Sequence, residues 1–330
     1  MNFKGYINGN YQVFISESDG TKIRTTSDDF FDAVFPENCD MKVTNYCNFG
    51  CEFCHECSTE KGKHAKVFDK DGNVKEGYAF LNTLKPYTEL ALGGGRLTSW
   101  PEIDTMLDFL KTKKVFANIT VNYRELHEES ARIQQWIDMG LIYGIGISID
   151  KYDEEVMRFA QKNPNTVLHV IAGFYDVDEI IKSYGNKGLK ILILGYKNWG
   201  RGAVLLKDAD FHNNIDVGMM LWEDVLPVLF ESFKVVSFDN LALKQLNIQK
   251  HVSEDVWNMN YMGDDSTATM YIDLPNKEFA ASSTAKNRFE LKQGIIDMFK
   301  EIKNTLCEKD RYEEHVEKIN TEGIQTWSDC

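Results

Sequence analysis

Residues 39–57 read CDMKVTNYCNFGCEFCHEC. The stretch divides in two. Its first eight residues, 39–46, alternate apolar and polar side chains through Met41 and Val43, the period of a β-strand with one buried face. The next eleven hold Cys47, Cys51, Cys54 and Cys57, four of the seven cysteines of the chain. A strand that runs directly into a thiol-rich loop raises two questions: what sheet the strand belongs to, and what the thiols hold.

The sheet is legible in the rhythm that follows. Further strands are expected at 88–94 (TELALGG), 115–122 (VFANITVN), 142–150 (IYGIGISID), 166–172 (TVLHVIA), 189–196 (LKILILGY) and 234–239 (KVVSFD). Amphipathic helical patterns lie between them at 101–113, 129–140, 153–162, 176–185 and 221–233. Alternation of this kind implies right-handed βαβ units and a parallel sheet. The run ILIL (191–194) reads as apolar on both faces, as a buried parallel strand does. Six or seven units suit a barrel or partial barrel, with an open doubly wound sheet as the competitor.

Outside this core, YQVFISES and TKIRTT flank Asp19-Gly20, a hairpin signal. A second hairpin is expected over 269–283, turning at Pro275-Asn276-Lys277, with helices near 285–305 and 308–320. The chain therefore divides into an N-terminal hairpin extension (1–38), a core domain (39–245) and a C-terminal extension of hairpin and helices (246–330).

Composition narrows the partners. The 330 residues carry a formal charge of −14, which disfavours general nucleic-acid binding. Lys61, Lys63, Lys66 and Lys70 form a local basic run, read as a solvated loop. No signal peptide and no membrane-length apolar run is found, so a cytoplasmic location is expected. Thiols stay reduced there, and a cluster of them points to metal rather than to disulfides.

Thiolates suit zinc or iron–sulfur clusters. A closed zinc site needs four ligands, often as two separated pairs. Cys54-x2-Cys57 would make one pair, but no second CxxC follows; Cys39, Cys307 and Cys330 stand alone. Three thiolates on one loop instead leave one iron of a four-iron cluster open. The loop also follows the first parallel strand, and in α/β folds ligands bind beyond the carboxyl ends of strands.

The spacing Cys47-x3-Cys51-x2-Cys54, with Phe53 before the third cysteine, resembles the radical S-adenosylmethionine (radical SAM) family over roughly residues 39–245. The resemblance implies a partial (β/α)6 TIM-like barrel in which Cys47, Cys51 and Cys54 ligate a 4Fe-4S cluster. The open iron would chelate S-adenosylmethionine (SAM), and reductive cleavage would give a 5′-deoxyadenosyl radical that abstracts hydrogen from substrate. An electron donor such as flavodoxin or ferredoxin is implied, and Phe53 would lie near the adenine. Gly94 and Gly95 take the place of the family's glycines that bind the methionyl amino group; Arg96 stands where the family has Glu, so backbone carbonyls would carry that contact.

Polar rows on buried strands fit the same picture, because such rows are costly unless they line a cavity. Asn118, Thr120 and Asn122 share one face of the third strand, and Gly146, Ser148 and Asp150 one face of the fourth. Asn122, Ser148 and Asp150 are carried over as SAM-binding candidates. His169 on the fifth strand reads as a core residue with substrate contact as the other reading, and His55 and Cys57 as a loop histidine and a spare thiol. Gly195–Gly202 forms a glycine-rich rim loop facing adenine or substrate. The hairpin at 269–283 resembles that of the SPASM extension of peptide-modifying members; with only Cys307 and Cys330 beyond it, one cluster is expected, and a peptide or protein substrate is favoured. The segment 58–80 and the N-terminal hairpin are placed to cover the site. The readings kept beside this one are a non-catalytic zinc or iron–sulfur module and a degenerate member that binds SAM without cleaving it.

Overall fold

The computed structural model describes residues 3–305. The expected helix at 308–320, Cys307 and Cys330 lie outside these residues. A ten-stranded sheet forms the body. Its parallel run comprises β4 (Asn38–Thr44), β5 (Glu89–Gly94), β6 (Phe116–Asn122), β7 (Gly144–Ser148), β8 (Thr166–Ile171), β9 (Lys190–Leu194) and β10 (Val235–Phe238). These strands lie side by side in chain order. A doubly wound sheet reverses its order at a switch point; this one does not, so right-handed crossovers place the helices on one face.

Burial follows from that arrangement. On β6, Ala117, Ile119 and Val121 are buried, while Phe116, Asn118, Thr120 and Asn122 are half-exposed. On β9, Ile191 and Ile193 are fully buried but Leu192 and Leu194 are not. The ILIL run is therefore covered on one face only, which corrects the two-sided burial expected of it.

The crossover helices are α1 (Ile103–Lys113), α2 (Tyr123–Asp138), α3 (Glu154–Lys162), α4 (Val177–Tyr184), and the trio α5 (Gly200–Leu205), α6 (Ala209–Asp224) and α7 (Leu226–Ser232). Helix α2 starts six residues before the expected segment, because Asn122 caps it: its side-chain oxygen accepts from the Arg124 N–H at 3.0 Å. Asp153 and Asp176 cap α3 and α4 in the same way. After β10 come α8 (Asn240–Gln245) and α9 (Glu254–Asn260), neither marked by a clear apolar period.

The hairpin of β11 (Thr269–Asp273) and β12 (Glu278–Ala280) turns where expected, with Lys277 at φ +58. Strand β11 also pairs parallel with β4 and so continues the main sheet. Residues 285–294 are not helical as expected: β13 (Phe289–Glu290) pairs with β12, and helix begins only at 295. Among the described residues no strand pairing joins the two ends of the sheet. Side chains cross the gap between its flanks: Asn240 donates to Asp265 (2.8 Å), Lys244 pairs with Asp264 (2.9 Å) and Lys197 donates to Ser283 (3.1 Å).

The N-terminal unit is a three-stranded antiparallel sheet, β1 (Phe3–Asn8), β2 (Tyr11–Ser16) and β3 (Lys22–Thr25). The β2–β3 hairpin was expected and β1 was not. Lys22 pairs with Glu89 (2.5 Å) and Glu37, and Arg24 with Glu37 (2.7 Å). These partners stand at the amino ends of β4 and β5. The N-terminal sheet thus lies at the end of the parallel strands opposite the cysteine loop, and the expectation that it covers the site is corrected.

Candidate functional site

The cysteine loop leaves β4 at its carboxyl end and is held on both sides. Asn45 N–H donates to the Lys63 carbonyl (2.8 Å) and Cys47 N–H to that of Thr59 (3.0 Å). Two successive turns follow, Cys54 N–H to Cys51 O (3.2 Å) and Cys57 N–H to Cys54 O (3.3 Å). Cys47, Cys51 and Cys54 are half-buried; Cys57, at φ +50, is exposed. Burial pushes the Cys47 and Cys51 thiols up, and the neighbouring thiols add to it. Bound metal would displace those protons and hold the groups as thiolates.

Among the described residues no three or more His, Cys, Asp or Glu side chains converge as a single-ion site requires. Zinc needs such convergence. An iron–sulfur cluster spreads its thiolates over separate iron atoms, so three half-buried thiols on one turn-rich loop suit it in donor type and number.

The glycines after β5 press against this loop. A Cβ on Gly95 would sit 2.0 Å from the Tyr46 carbonyl oxygen, and one on Gly94 2.6 Å from that of Thr44. Gly95 and Arg96 donate their N–H groups to Thr44 O (2.8 Å) and Tyr46 O (2.7 Å). Gly93 alone faces open space; it shares the half-exposed face of β5 with Glu89 and Ala91. Arg96 turns away to Glu128 (2.5 Å) and Glu129, with its guanidinium over the Phe49 ring. The glycine-rich loop after β9 grips the other side. Gly200 approaches the His55 and Cys54 carbonyls, and Arg201 donates to Cys51 O (2.9 Å) and Ser58 O (3.1 Å).

Arg124 was not singled out by the sequence. It lies two residues past Asn122 and donates to Cys51 Sγ (3.2 Å), Phe49 O (3.1 Å) and Asn122 Oδ1 (3.1 Å). The strand-end pattern Asn-x-Arg is the only local signal for it. Asn122 is therefore tied to the cysteine loop through Arg124. Phe53 joins an aromatic group, edge-on to Phe174 (4.8 Å between centroids) and Tyr175 (6.2 Å). Burial, then the Asp150 carboxylate and Cys51, push the Tyr175 phenol up. Ser148 is half-buried in register with His169 on β8. The His169 ring lies over Gly146, whose missing Cβ leaves the room, and burial pushes the imidazole down to about 4.

The third wall is a buried charge network. Lys42 contacts Glu56 (2.5 Å) and Asp273 (3.1 Å), and Tyr271 donates to Glu56 (3.0 Å). It ties the loop to β11. Burial, then Lys197 and Lys42, push His55 down to about 3, so the imidazole is neutral. The segment 58–80 is not a cover. Ala65 N–H donates to Val43 O (3.0 Å), Trp100 Nε1 donates to Ala65 O (2.9 Å), and Ala65, Val67, Phe68, Tyr78 and Phe80 are buried. These apolar side chains belong to the core, while the polar ones between them face solvent.

The class defined so far is an α/β protein with an open, singly wound parallel sheet whose first strand delivers three thiols to the carboxyl-end face. No protein-family model matches the chain, and no curated protein matches it by sequence. Solved structures of SuiB from Streptococcus suis share the fold. The SuiB chain bound to the precursor peptide SuiA gives a TM-score of 0.53 at 10% identity, covering 90% of this chain and 87% of that one. SuiB bound to S-adenosylmethionine gives 0.54 at 11% identity, covering 87% and 84%. A further SuiB structure gives 0.52 at 12%, covering 89% and 85%. At these identities the likeness is one of fold. No helix among the described residues is long and apolar enough to cross a membrane.

Proposed function

We propose that the chain is a radical SAM enzyme acting on a peptide or protein substrate. Its core would be a partial (β/α)6 barrel, with Cys47, Cys51 and Cys54 holding a 4Fe-4S cluster. The observation that carries the reading is the set of three half-buried thiols on one loop at the carboxyl end of β4, tied through Arg124 to Asn122 at the carboxyl end of β6. Support comes from the fold shared with SuiB, whose structures include complexes with S-adenosylmethionine and with a precursor peptide. When bound, the cluster and SAM would supply one-electron cleavage to a 5′-deoxyadenosyl radical.

The chain's own part is to bind, orient and exclude water. Asn122 and Ser148, half-buried at the carboxyl ends of β6 and β7, and the exposed Asp150 just beyond would supply polar contacts to SAM. Gly93 leaves open space on β5, where sequence register favoured Gly94 and Gly95; those two are taken up by close backbone approach to Thr44 and Tyr46. Phe53, Phe174 and Tyr175 form an apolar wall next to the thiols. The zinc-module reading calls for Cys57 in a closed tetrad, and Cys57 points to solvent instead.

The test is 5′-deoxyadenosine formation after anaerobic reconstitution, with SAM and a strong reductant. Product that depends on all three cysteines supports the reading. A sample with a full cluster that binds SAM but never cleaves it, with or without candidate peptides, refutes it in favour of a degenerate member.

A further inference from the structure

We infer that Arg124 is a positioning residue that sets how readily the cluster on Cys47, Cys51 and Cys54 is reduced. The inference rests on the proposed function and goes beyond it, since nothing in the cysteine motif calls for an arginine. Three features carry it. First, the guanidinium donates directly to Cys51 Sγ at 3.2 Å, whereas Arg201 reaches only backbone carbonyls and Arg96 is paired with Glu128 and Glu129.

Second, the group is held in place. Nε donates to Asn122 Oδ1 and Nη1 to Phe49 O, both at 3.1 Å, and the cation stands 4.8 Å over the Phe49 ring and 5.8 Å from that of Tyr123. Asn122 is itself fixed as the cap of α2. A planar fork pinned along both edges loses little further freedom when it bonds the sulfur. Third, the cation is uncompensated: among the described residues its partners are a thiol, a carbonyl and an amide oxygen, and no carboxylate pairs with it. A fixed positive charge with an N–H on a ligand sulfur favours the more negative, reduced state of a cluster.

The electron comes from an external one-electron donor; Arg124 neither gains nor loses one. Its effect is on the equilibrium between oxidised and reduced cluster. Removing it makes reduction harder, by at least tenfold in that ratio at fixed poise, which is about 59 mV for one electron.

The experiment is an anaerobic redox titration, read by electron paramagnetic resonance, of reconstituted wild type, R124Q, R124K and R201Q, with titanium(III) citrate as reductant and no SAM present. R124Q is expected to be reduced at a more negative potential. R124K, which keeps the charge but not the fork, should lie between R124Q and wild type, and it carries the comparison if R124Q takes up no cluster. R201Q should alter cluster yield but leave the potential unchanged. Equal potentials in wild type and the Arg124 variants overturn the inference, as does an equal shift in R201Q. A wild type that holds no cluster overturns the proposed function itself, a different result from a cluster indifferent to Arg124.

Discussion

Gly95→Ala tests whether the strand-end glycines are there for contact with the cysteine loop. The added Cβ would lie 2.0 Å from the Tyr46 carbonyl oxygen and 2.7 Å from its carbon. Ordinary carbon contacts are about 3.5–4.0 Å, so the Tyr46 peptide must retreat by more than about 1 Å. That retreat strains two hydrogen bonds, Gly95 N–H to Thr44 O and Arg96 N–H to Tyr46 O. Overpacking costs about 1–3 kcal/mol and each lost bond about 0.5–1.5, giving a destabilisation of about 2–6 kcal/mol. Gly93→Ala is the control, since its Cβ meets nothing within 4 Å. Loss of chain freedom in the unfolded state makes that change neutral or stabilising by up to about 1 kcal/mol. Urea unfolding of the metal-free proteins, followed by circular dichroism, reads both. Equal stability of the two variants, or a cost at Gly95 below about 1 kcal/mol, refutes the close-contact account.

Other outcomes follow from the same geometry. Cys51→Ala should abolish cluster assembly while Cys57→Ala leaves it intact, read by iron and sulfide content; the reverse pattern would move the ligand set. Lys42→Met strands the Glu56 and Asp273 carboxylates in a buried site and should cost about 3–5 kcal/mol in urea unfolding, against almost nothing if the network is a bystander. Burial pushes the Glu125 carboxyl up to about 7, against the pull of the Thr98 N–H and Arg96. The folded state therefore binds this proton more tightly than the unfolded state, so stability falls as pH rises from about 4.3 to about 7 and then levels off. Glu125→Gln should remove that slope and gain about 1–3 kcal/mol above pH 7 relative to wild type; a pH-independent difference between the two would show that the carboxyl is not the cause.

What could be read from the sequence was local. The two-residue and 3.6-residue periods located the parallel strands and most crossover helices, and the thiol spacing located the loop. The order of the strands along the chain became their order in the sheet. Pairings between distant residues left no such trace. Nothing near Thr269–Asp273 announces that it will pair with Asn38–Lys42, because a strand's partner is chosen by the whole sheet. The segment 58–80 read as a cover because lysines and other polar residues separate its apolar ones; yet Ala65, Val67, Phe68, Tyr78 and Phe80 anchor it in the core. Arg124 went unnoticed because arginine in a first helical turn is ordinary, and its partner Cys51 is 73 residues away. Asn122 was found for its place on the polar row, and the structure gives it a second duty as a helix cap.

The parallel pairing of β11 with β4 has a consequence for the order in which the molecule is assembled. During synthesis β4 emerges early, and its β5 side can be filled soon after. Its other edge waits for some 230 residues, until Thr269–Asp273 leaves the ribosome. In that interval the edge is an open template for foreign strands, and the thiol loop hangs from a strand bonded on one side. Contacts of such long sequence separation form slowly. A nascent or truncated chain that stops before β11 would also lack Tyr271 and Asp273, the partners of Glu56 and Lys42. Such a chain would be prone to aggregate, and the loop would reach its final shape only when the C-terminal part of the sheet is laid down.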